Sequence, residues 1–587
     1  MMRTHTLNLA QSLYLVVLVV LIVPPCATAE DDTWDWIVSA EGNATTRCVA
    51  TDSAGNVYVA GSFQTAISLG TQTLTSVNGT SDVFLFKLTP DGQAIWGRSA
   101  GGERLDRPWG VTWDPVGRVY LVGEFCSNSI TFDTVILENN YQSPYIDDSS
   151  FDVFTVCYSD EGTILWARKA GGLWHDKATG IVHDGGGNVY ILGTFLSSEI
   201  TFDTLSLSNS GNIDLFLARY DADGHIQWAR SAVGTGQDNA WSLAVDSEGM
   251  VYIAGSYRSP SLDFYGHILV NTSDDFDLYL AQYEQDGRTR WAVSASGQEW
   301  DDAEALATDQ NDDVYLAGHF GSDTLSFDTT QLFLSNPEHS NNDMYLVKLD
   351  REGQLIWATS STGPAWAYPS AACVVNTNEL AVVGTFTGNN FGDTESFGPW
   401  PITTFGSYDI FLVNFDLAGN SLAAENYGGE SMDFGQAVCR DFAGNLFLGA
   451  YFSSDSLSIG TVTLHNDYNN KMIVAKRPNS GVSPVPAIPP GEELATESFV
   501  LTNAPNPFNA RTQIAYDLSQ DGHVWLSIFD LRGRLICTLV DGVQTRGPHT
   551  VVWDGKDSSQ NELASGVYFY RLKTGAGESL RNMTLIK

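Results

Sequence analysis

Six times in this chain a run of alternating apolar residues ends in Gly-x-Phe or Gly-x-Tyr, with glycines at Gly61, Gly123, Gly193, Gly255, Gly318 and Gly384. A seventh copy carries Ala450 in the glycine's place, two residues ahead of Phe452. Self-similarity at a spacing of 62 to 70 residues constrains the fold more than any other feature. Each copy has to be one supersecondary unit that buries its faces against its neighbours. The stretch from Ile95 to Phe125, IWGRSAGGERLDRPWGVTWDPVGRVYLVGEF, shows the grammar: a strand with Trp96, a loop with Asp106 and Trp109, a strand closing on Asp114, a turn, and a strand ending Gly-Glu-Phe. It returns from Leu165, Ile226 and Arg290.

Each repeat holds four short β-rich runs; in the second they are Gly110 to Asp114, Val119 to Phe125, Asp152 to Tyr158 and Ile164 to Arg168. Alternation and enrichment in aromatic and β-branched residues mark them as strands. Turns such as Ser53-Ala54-Gly55-Asn56 supply the positive φ that a tight hairpin needs. The third run opens with Asp before an aromatic or apolar residue, at Asp82, Asp152, Asp214, Asp277, Asp343 and Asp409; the seventh copy has Lys471 there. Four antiparallel strands per repeat make a propeller blade, longer than the ~40–50 residues of the commonest blades. The expected fold is therefore all-β: a seven-bladed β-propeller of four-stranded blades over residues 31–478. The chain opens with a lone Trp strand, Asp35 to Ser39, and its last copy ends without one. Trp36 is thus expected to complete the seventh blade, so that no sheet edge is left open.

On these motifs, residues 35–478 resemble the SBBP-type β-propeller repeats of exported bacterial proteins. The resemblance implies a scaffold and assigns no activity. Copies six and seven depart from the pattern: Val375 stands where Asp is expected, and Ala423 near the expected Trp.

Arg3, the apolar run Leu13 to Val23 and Ala27-Thr28-Ala29 form the three regions of a secretory signal peptide over residues 1–29. Pro25 before Cys26 rules out a lipoprotein site, and no other segment reads as a membrane span. Residues 479–498, rich in Pro, Ser, Gly and Glu, read as a semi-extended linker. Residues 499–587 read as a small antiparallel sandwich of about seven strands. Asn506, Pro507, Phe508, Asn509, Trp553, Asp554, Gly555, Gly566, Tyr568 and Lys587 carry its resemblance to the C-terminal sorting domains of type IX secretion, related to the Ig-like domain of hook-capping proteins. That resemblance implies a partner, the type IX machinery, and a secreted or outer-membrane-surface location in a Gram-negative-type bacterium.

Thirty Lys and Arg against 70 Asp and Glu give a net charge of −40, which excludes nucleic acid as a partner and disfavours anionic membrane. Six cysteines follow the signal segment with no metal or disulfide-framework spacing. No HExxH, GxSxG, P-loop or GxGxxG sequence occurs. His183 and His319 occupy repeat positions filled otherwise elsewhere and read as tolerated variants, so no catalytic residue is assigned. Asp52, Asp114, Asp184, Asp246, Asp309 and Asp441 close the innermost strands, where a carboxylate accepts its own turn's N–H groups. Calcium is the one cofactor such carboxylates would suit, although the alternating Asp spacing of a calcium loop is missing.

The loops leading into the innermost strands repeat another pair of residue types. Asp106, Asp176, Asp238, Asp301 and Asp433 lie there, beside Trp109, Trp174, Trp241, Trp300 and Trp366. In a propeller these loops share one face. Aromatic planes beside carboxylates suit sugar rings, whose apolar face stacks while the hydroxyls find acceptors. The same residues would serve equally as a channel plug (Trp) and as staples (Asp). The expected role is binding or adhesion, with an extracellular glycan or surface protein as partner. The alternatives are a secreted hydrolase or lyase, which needs two carboxylates or a Tyr/His pair converging on the funnel, and a ligand-free structural component.

Overall fold

The computed structural model describes residues 34–141, 150–337, 342–388, 392–479 and, with short interruptions, 501–585. The expected signal segment, 1–29, lies outside the described residues, as does all of the expected linker beyond Asn479. Every described element of regular length is a strand, and the strands group into repeated antiparallel sheets.

Seven of these sheets each contain one four-stranded module of the repeat; five hold that module alone and two are extended by hairpin strands. In the second, Asp106–Trp113, Arg118–Phe125, Asp152–Ser159 and Ile164–Gly171 pair in chain order. The seventh takes three strands, Asp433–Arg440, Leu446–Phe452 and Lys471–Arg477, from the end of the repeat region. Its fourth strand is Trp36–Ser39 from the beginning, with Trp36 opposite Lys476 and Ser39 opposite Ile473. The first strand of each module packs against the first strand of the next, and Asp433–Arg440 packs against Glu41–Thr51 of the first.

Between the second and third strands the structure adds a two-stranded hairpin that the four-strand reading missed, such as Ser129–Phe132 with Val135–Glu138. In the first modules it bonds the outer strand of the preceding module, Ala100 opposite Phe132 and Ala170 opposite Phe202. This hairpin accounts for the long repeat. Its inward residues Ile130 and Phe132 are fully buried in the core between modules.

The outer-strand tryptophans stitch module to module, as core residues with a polar edge do. Each indole N–H donates to a backbone carbonyl in the next module's turn: Trp36 to Pro90 (2.8 Å), Trp96 to Asp160 (3.0 Å), Trp166 to Ala222 (3.0 Å), Trp228 to Gln285 (3.0 Å), Trp291 to Arg351 (3.2 Å) and Trp357 to Leu417 (3.2 Å). The turn glycine lies flat on the ring; at Gly224 (φ 77°) a Cβ would come within 2.6 Å of Trp166. Ala423, in the sixth module, has no such turn to meet, because the seventh module receives its fourth strand from the far end of the chain.

A β-bulge in the first strand of each module explains the Gly-x-Phe glycine. At Gly61, Gly123 and Gly193 a Cβ would lie about 2 Å from the carbonyl oxygen of Thr45, Arg107 or Lys177. In the seventh module Ala450 takes that place, opposite Gly435.

Residues 501–585 form two further sheets, one of three strands and one of four, the expected seven. Their core holds Phe508, Trp553 and Tyr568, with Phe508 and Tyr568 5.6 and 5.3 Å from the Trp553 ring. Trp553 donates its indole N–H to the Lys556 carbonyl, Gly555 takes a φ of 72°, Asp554 is exposed, and Gly566 opens the strand to Thr574. Asn506, Pro507, Asn509 and Lys587 lie outside the described residues.

Candidate functional site

The strand-closing aspartates form the expected turns. Asp52 Oδ1 accepts the N–H groups of Ala54 and Asn56, and Asp114, Asp184, Asp246, Asp309 and Asp441 repeat the pattern. Among the described residues no group of three or more His, Cys, Asp or Glu is placed to hold a metal ion.

The loop aspartates Asp106, Asp176, Asp238, Asp301 and Asp433 are fully buried, and their oxygens are taken up internally rather than presented on a face. Asp106 accepts the Gly102 N–H (2.8 Å), the Ser127 hydroxyl (2.9 Å) and the Ser127 N–H (3.3 Å). Ser197, Ser259, Ser322 and Ser454 bond Asp176, Asp238, Asp301 and Asp433 in the same way, with hydroxyl distances of 2.7–2.8 Å. Burial pushes these carboxyls up, Asp106 to about 8, Asp301 to about 7, and Asp176 and Asp238 to about 6, while the serine bonds pull in the other direction. They are staples that hold the entry loops in place, not acceptors for a ligand.

The five tryptophans fall into three positions. Trp109 and Trp241 sit on the bulge of their strands, half-buried, with the Lys177 ammonium 5.2 and 4.9 Å from their ring centroids. Trp300 and Trp366 occupy the residue immediately before the strand's buried entry position, Asp301 or Ala367. Trp174 lies one position earlier and is 57% exposed; Trp300 is 48% exposed and donates to Asp302 Oδ2 (3.2 Å).

The bulge and the x of Gly-x-Phe supply two further variable positions in each module, which sequence reasoning missed. The bulge residues are Arg47, Trp109, Thr179, Trp241, Glu304, Ser370 and Gln436, and the x residues Ser62, Glu124, Thr194, Ser256, His319, Thr385 and Tyr451. Variation at a position whose flanks repeat was the available signal, and it was read as tolerance. Glu124 pairs with Arg107 (2.7 Å) and with His175 (3.2 Å). Burial opposes the charge on Glu124, but the His175 bond and the Arg107 and Lys177 charges hold it below the usual carboxylate range. His319 Nδ1 lies 3.1 Å from Glu304 and its ring 4.8 Å from Tyr368. Burial, the largest influence, would drive the His319 proton off; Glu304, Asp302 and Asp301 outweigh it and raise the imidazole's pKa. Burial lifts neighbouring Asp302 to about 6.

Comparison with known proteins adds the following. Residues 507–578 match the FlgD Ig-like domain family. An uncharacterized WD repeat-containing protein of Acanthamoeba polyphaga mimivirus is 22% identical over 453 residues, covering 65% of this chain and 32% of the relative. The regulatory protein FlaEY of Caulobacter vibrioides is 27% identical over 266 residues, 43% of this chain and 27% of the relative. The chain thus spans about a third or less of these relatives. Solved structures with similarity include PorZ, a surface component of the type IX secretion system of Porphyromonas gingivalis (10% identity, 94% of this chain and 100% of that one, TM-score 0.16). Latent PorU of the same organism is another (12% identity, 64% and 31%, TM-score 0.15). These superpositions are too loose to assign a shared fold. What stands is an all-β protein of many sheets with an FlgD-type Ig-like domain near its C-terminus, in which no described helix is long and apolar enough to cross a membrane.

Proposed function

We propose that this is a secreted or cell-surface binding protein whose seven modules close into a seven-bladed β-propeller and whose channel mouth recognises glycan. Packing of the seventh first strand against the first, and the Thr46 hydroxyl bonded to the Ile473 carbonyl (3.2 Å), support closure. Under this reading residues 1–29 direct export, 31–478 form the propeller, 479–498 the linker, and 499–587 a sorting domain engaged by type IX secretion machinery. The location would be outside the cell or on its outer surface. The FlgD-type match supports the domain type.

The observation that carries glycan recognition is the pair Trp174 and Trp300, two indoles roughly half exposed on loops held by buried Asp–Ser staples. A rigid exposed indole stacks a sugar ring with little ordering cost. The test is a glycan array probed with the full chain and with its Trp174→Ala/Trp300→Ala double variant. Binding that the folded variant loses supports the reading. A folded wild type that binds nothing sinks it and leaves the ligand-free structural role.

A second reading, a hydrolase or lyase, is favoured by the grouping of Asp302, Glu304, His319 and Tyr368. Release of reducing ends or unsaturated products from a glycan, abolished by Tyr368→Phe, would establish it.

A further inference from the structure

The protein carries forty more negative than positive charges, yet cations collect around a single ring. The Trp109 indole has the Arg47 guanidinium 4.8 Å, the Lys177 ammonium 5.2 Å and the Arg107 guanidinium 5.8 Å from its centroid. Lys177 also lies 4.9 Å from Trp241, so the two indoles flank it. The compensating charge is small. Glu124 is the carboxylate in contact, and its two oxygens meet Arg107 and His175. Arg47 donates to the neutral Gln436 amide oxygen (3.1 Å). Lys177 makes no hydrogen bond or ion pair among the described residues. Three cations against one carboxylate leave a local excess of two positive charges.

Such a cluster is unfavourable by itself. Burial is the largest cause lowering the pKa of both Lys177 and Arg47, and their mutual repulsion with Arg107 pushes in the same direction. Cation–π contact recovers a part, on the order of 0.5–2 kcal/mol per contact. A structural core has no use for unneutralised charge, since it destabilises the compact state. An anion arriving from solvent would relieve it and find charge-assisted donors already in place. Arg107 and Lys177 are only half-buried, so the site is open to such a ligand.

We propose that Arg47, Arg107 and Lys177, set around Trp109 and Trp241, form a subsite for the carboxylate of an acidic sugar, so that the glycan recognised is a hexuronate polymer. This deepens the glycan-binding reading and rests on it: the exposed rim indoles stack sugar rings while the cations take one ring's carboxylate. The chemistry distinguishes this ligand from a neutral glycan of the same shape, because only the charged one removes the repulsion.

The test is titration calorimetry of the full chain with hexuronate oligosaccharides (galacturonate, glucuronate, mannuronate and guluronate series), each beside its methyl ester. The ester keeps the ring and removes the charge. Expected are binding of at least one acid form, a tenfold or greater loss on esterification, and further weakening at 0.5 M salt. Lys177→Met should lose tenfold or more, and Lys177→Arg should retain most of the affinity. Arg47→Gln serves as a second variant if Lys177→Met does not fold. The acid oligosaccharide should also raise the wild-type melting temperature more than that of Lys177→Met. Equal affinity for acid and ester, or undiminished binding by both charge variants, would overturn the carboxylate subsite while leaving glycan binding intact. Binding of neutral glycans alone would do the same. Absence of all glycan binding by the folded chain would overturn both.

Discussion

Glu395 lies in the sixth module's hairpin strand, Thr394–Phe397, at the position held by Ile130, Ile200, Leu262, Leu325 and Leu457 in other modules. It is fully buried. Burial is the main cause that raises its pKa from 4.5 to about 9; Ser361 draws it down somewhat, and Asp343 adds to the rise. The folded state therefore holds this carboxyl protonated at neutral pH, whereas the unfolded chain ionises it. Since the folded pKa lies above the unfolded one, the group is harmless below pH 4.5 and costs progressively more as pH rises toward 9. At pH 7 the gap is about 2.5 units at 1.36 kcal/mol each, or about 3 kcal/mol. For modules spanning residues 34–479, with an unfolding entropy near 2.1 cal/mol/K per residue, that corresponds to a melting shift of roughly 3 to 4 °C. Glu395→Gln should raise the calorimetric Tm by this amount at pH 7, by more at pH 8.5, and by almost nothing at pH 4.5. Glu395→Leu, which restores the residue type of the other modules, should add apolar burial at every pH. A difference that does not change with pH, or a Gln variant less stable than wild type at pH 8.5, would refute the reasoning.

Other perturbations probe other links. In Gly224→Ala a methyl group would be forced toward the Trp166 ring at φ 77°; a loss of about 2 kcal/mol is expected in denaturant unfolding. Truncating residues 31–40 removes the strand opposite Ile473 to Lys476 and the Trp36 bond to Pro90, and a Tm equal to wild type would argue against closure by the N-terminal strand. His319 should titrate above 6.5 by NMR, and Glu304→Gln should lower that value, because burial then meets less opposing charge; an unchanged pKa would refute the pairing.

Much of the strand pattern was legible because alternation and turn chemistry are local. The Asx role of Asp52 and its counterparts follows from a carboxylate two and four residues before the N–H groups it accepts. The hairpin of Ser129–Phe132 with Val135–Glu138 escaped notice because four-residue strands carry too few alternations to stand out. The candidate site was legible only in part. Trp174 and Trp300 are exposed as a ligand surface requires, but Asp106 and its equivalents turned inward, since the serine two residues past Gly-x-Phe sits 21 residues from the aspartate it bonds. Arg47, Glu124, Lys177 and Glu304 gave no motif, because each stands in a different repeat copy and meets its partners through strand pairing or contact with a neighbouring module.

By itself the sequence determined the period, the strand content, the N-terminal strand that completes the seventh module and the Ig-like C-terminal domain, all of which rest on residue type at repeated spacing and on the order of the repeats. Tertiary structure decided what no spacing contains. It determined the extra hairpin of each module, the inward turn of Asp106 and its equivalents, and which side chains from different repeat copies meet around Trp109 and around His319. Pairing across the whole chain is set by burial and hydrogen-bond satisfaction, and those are properties of the assembled sheets.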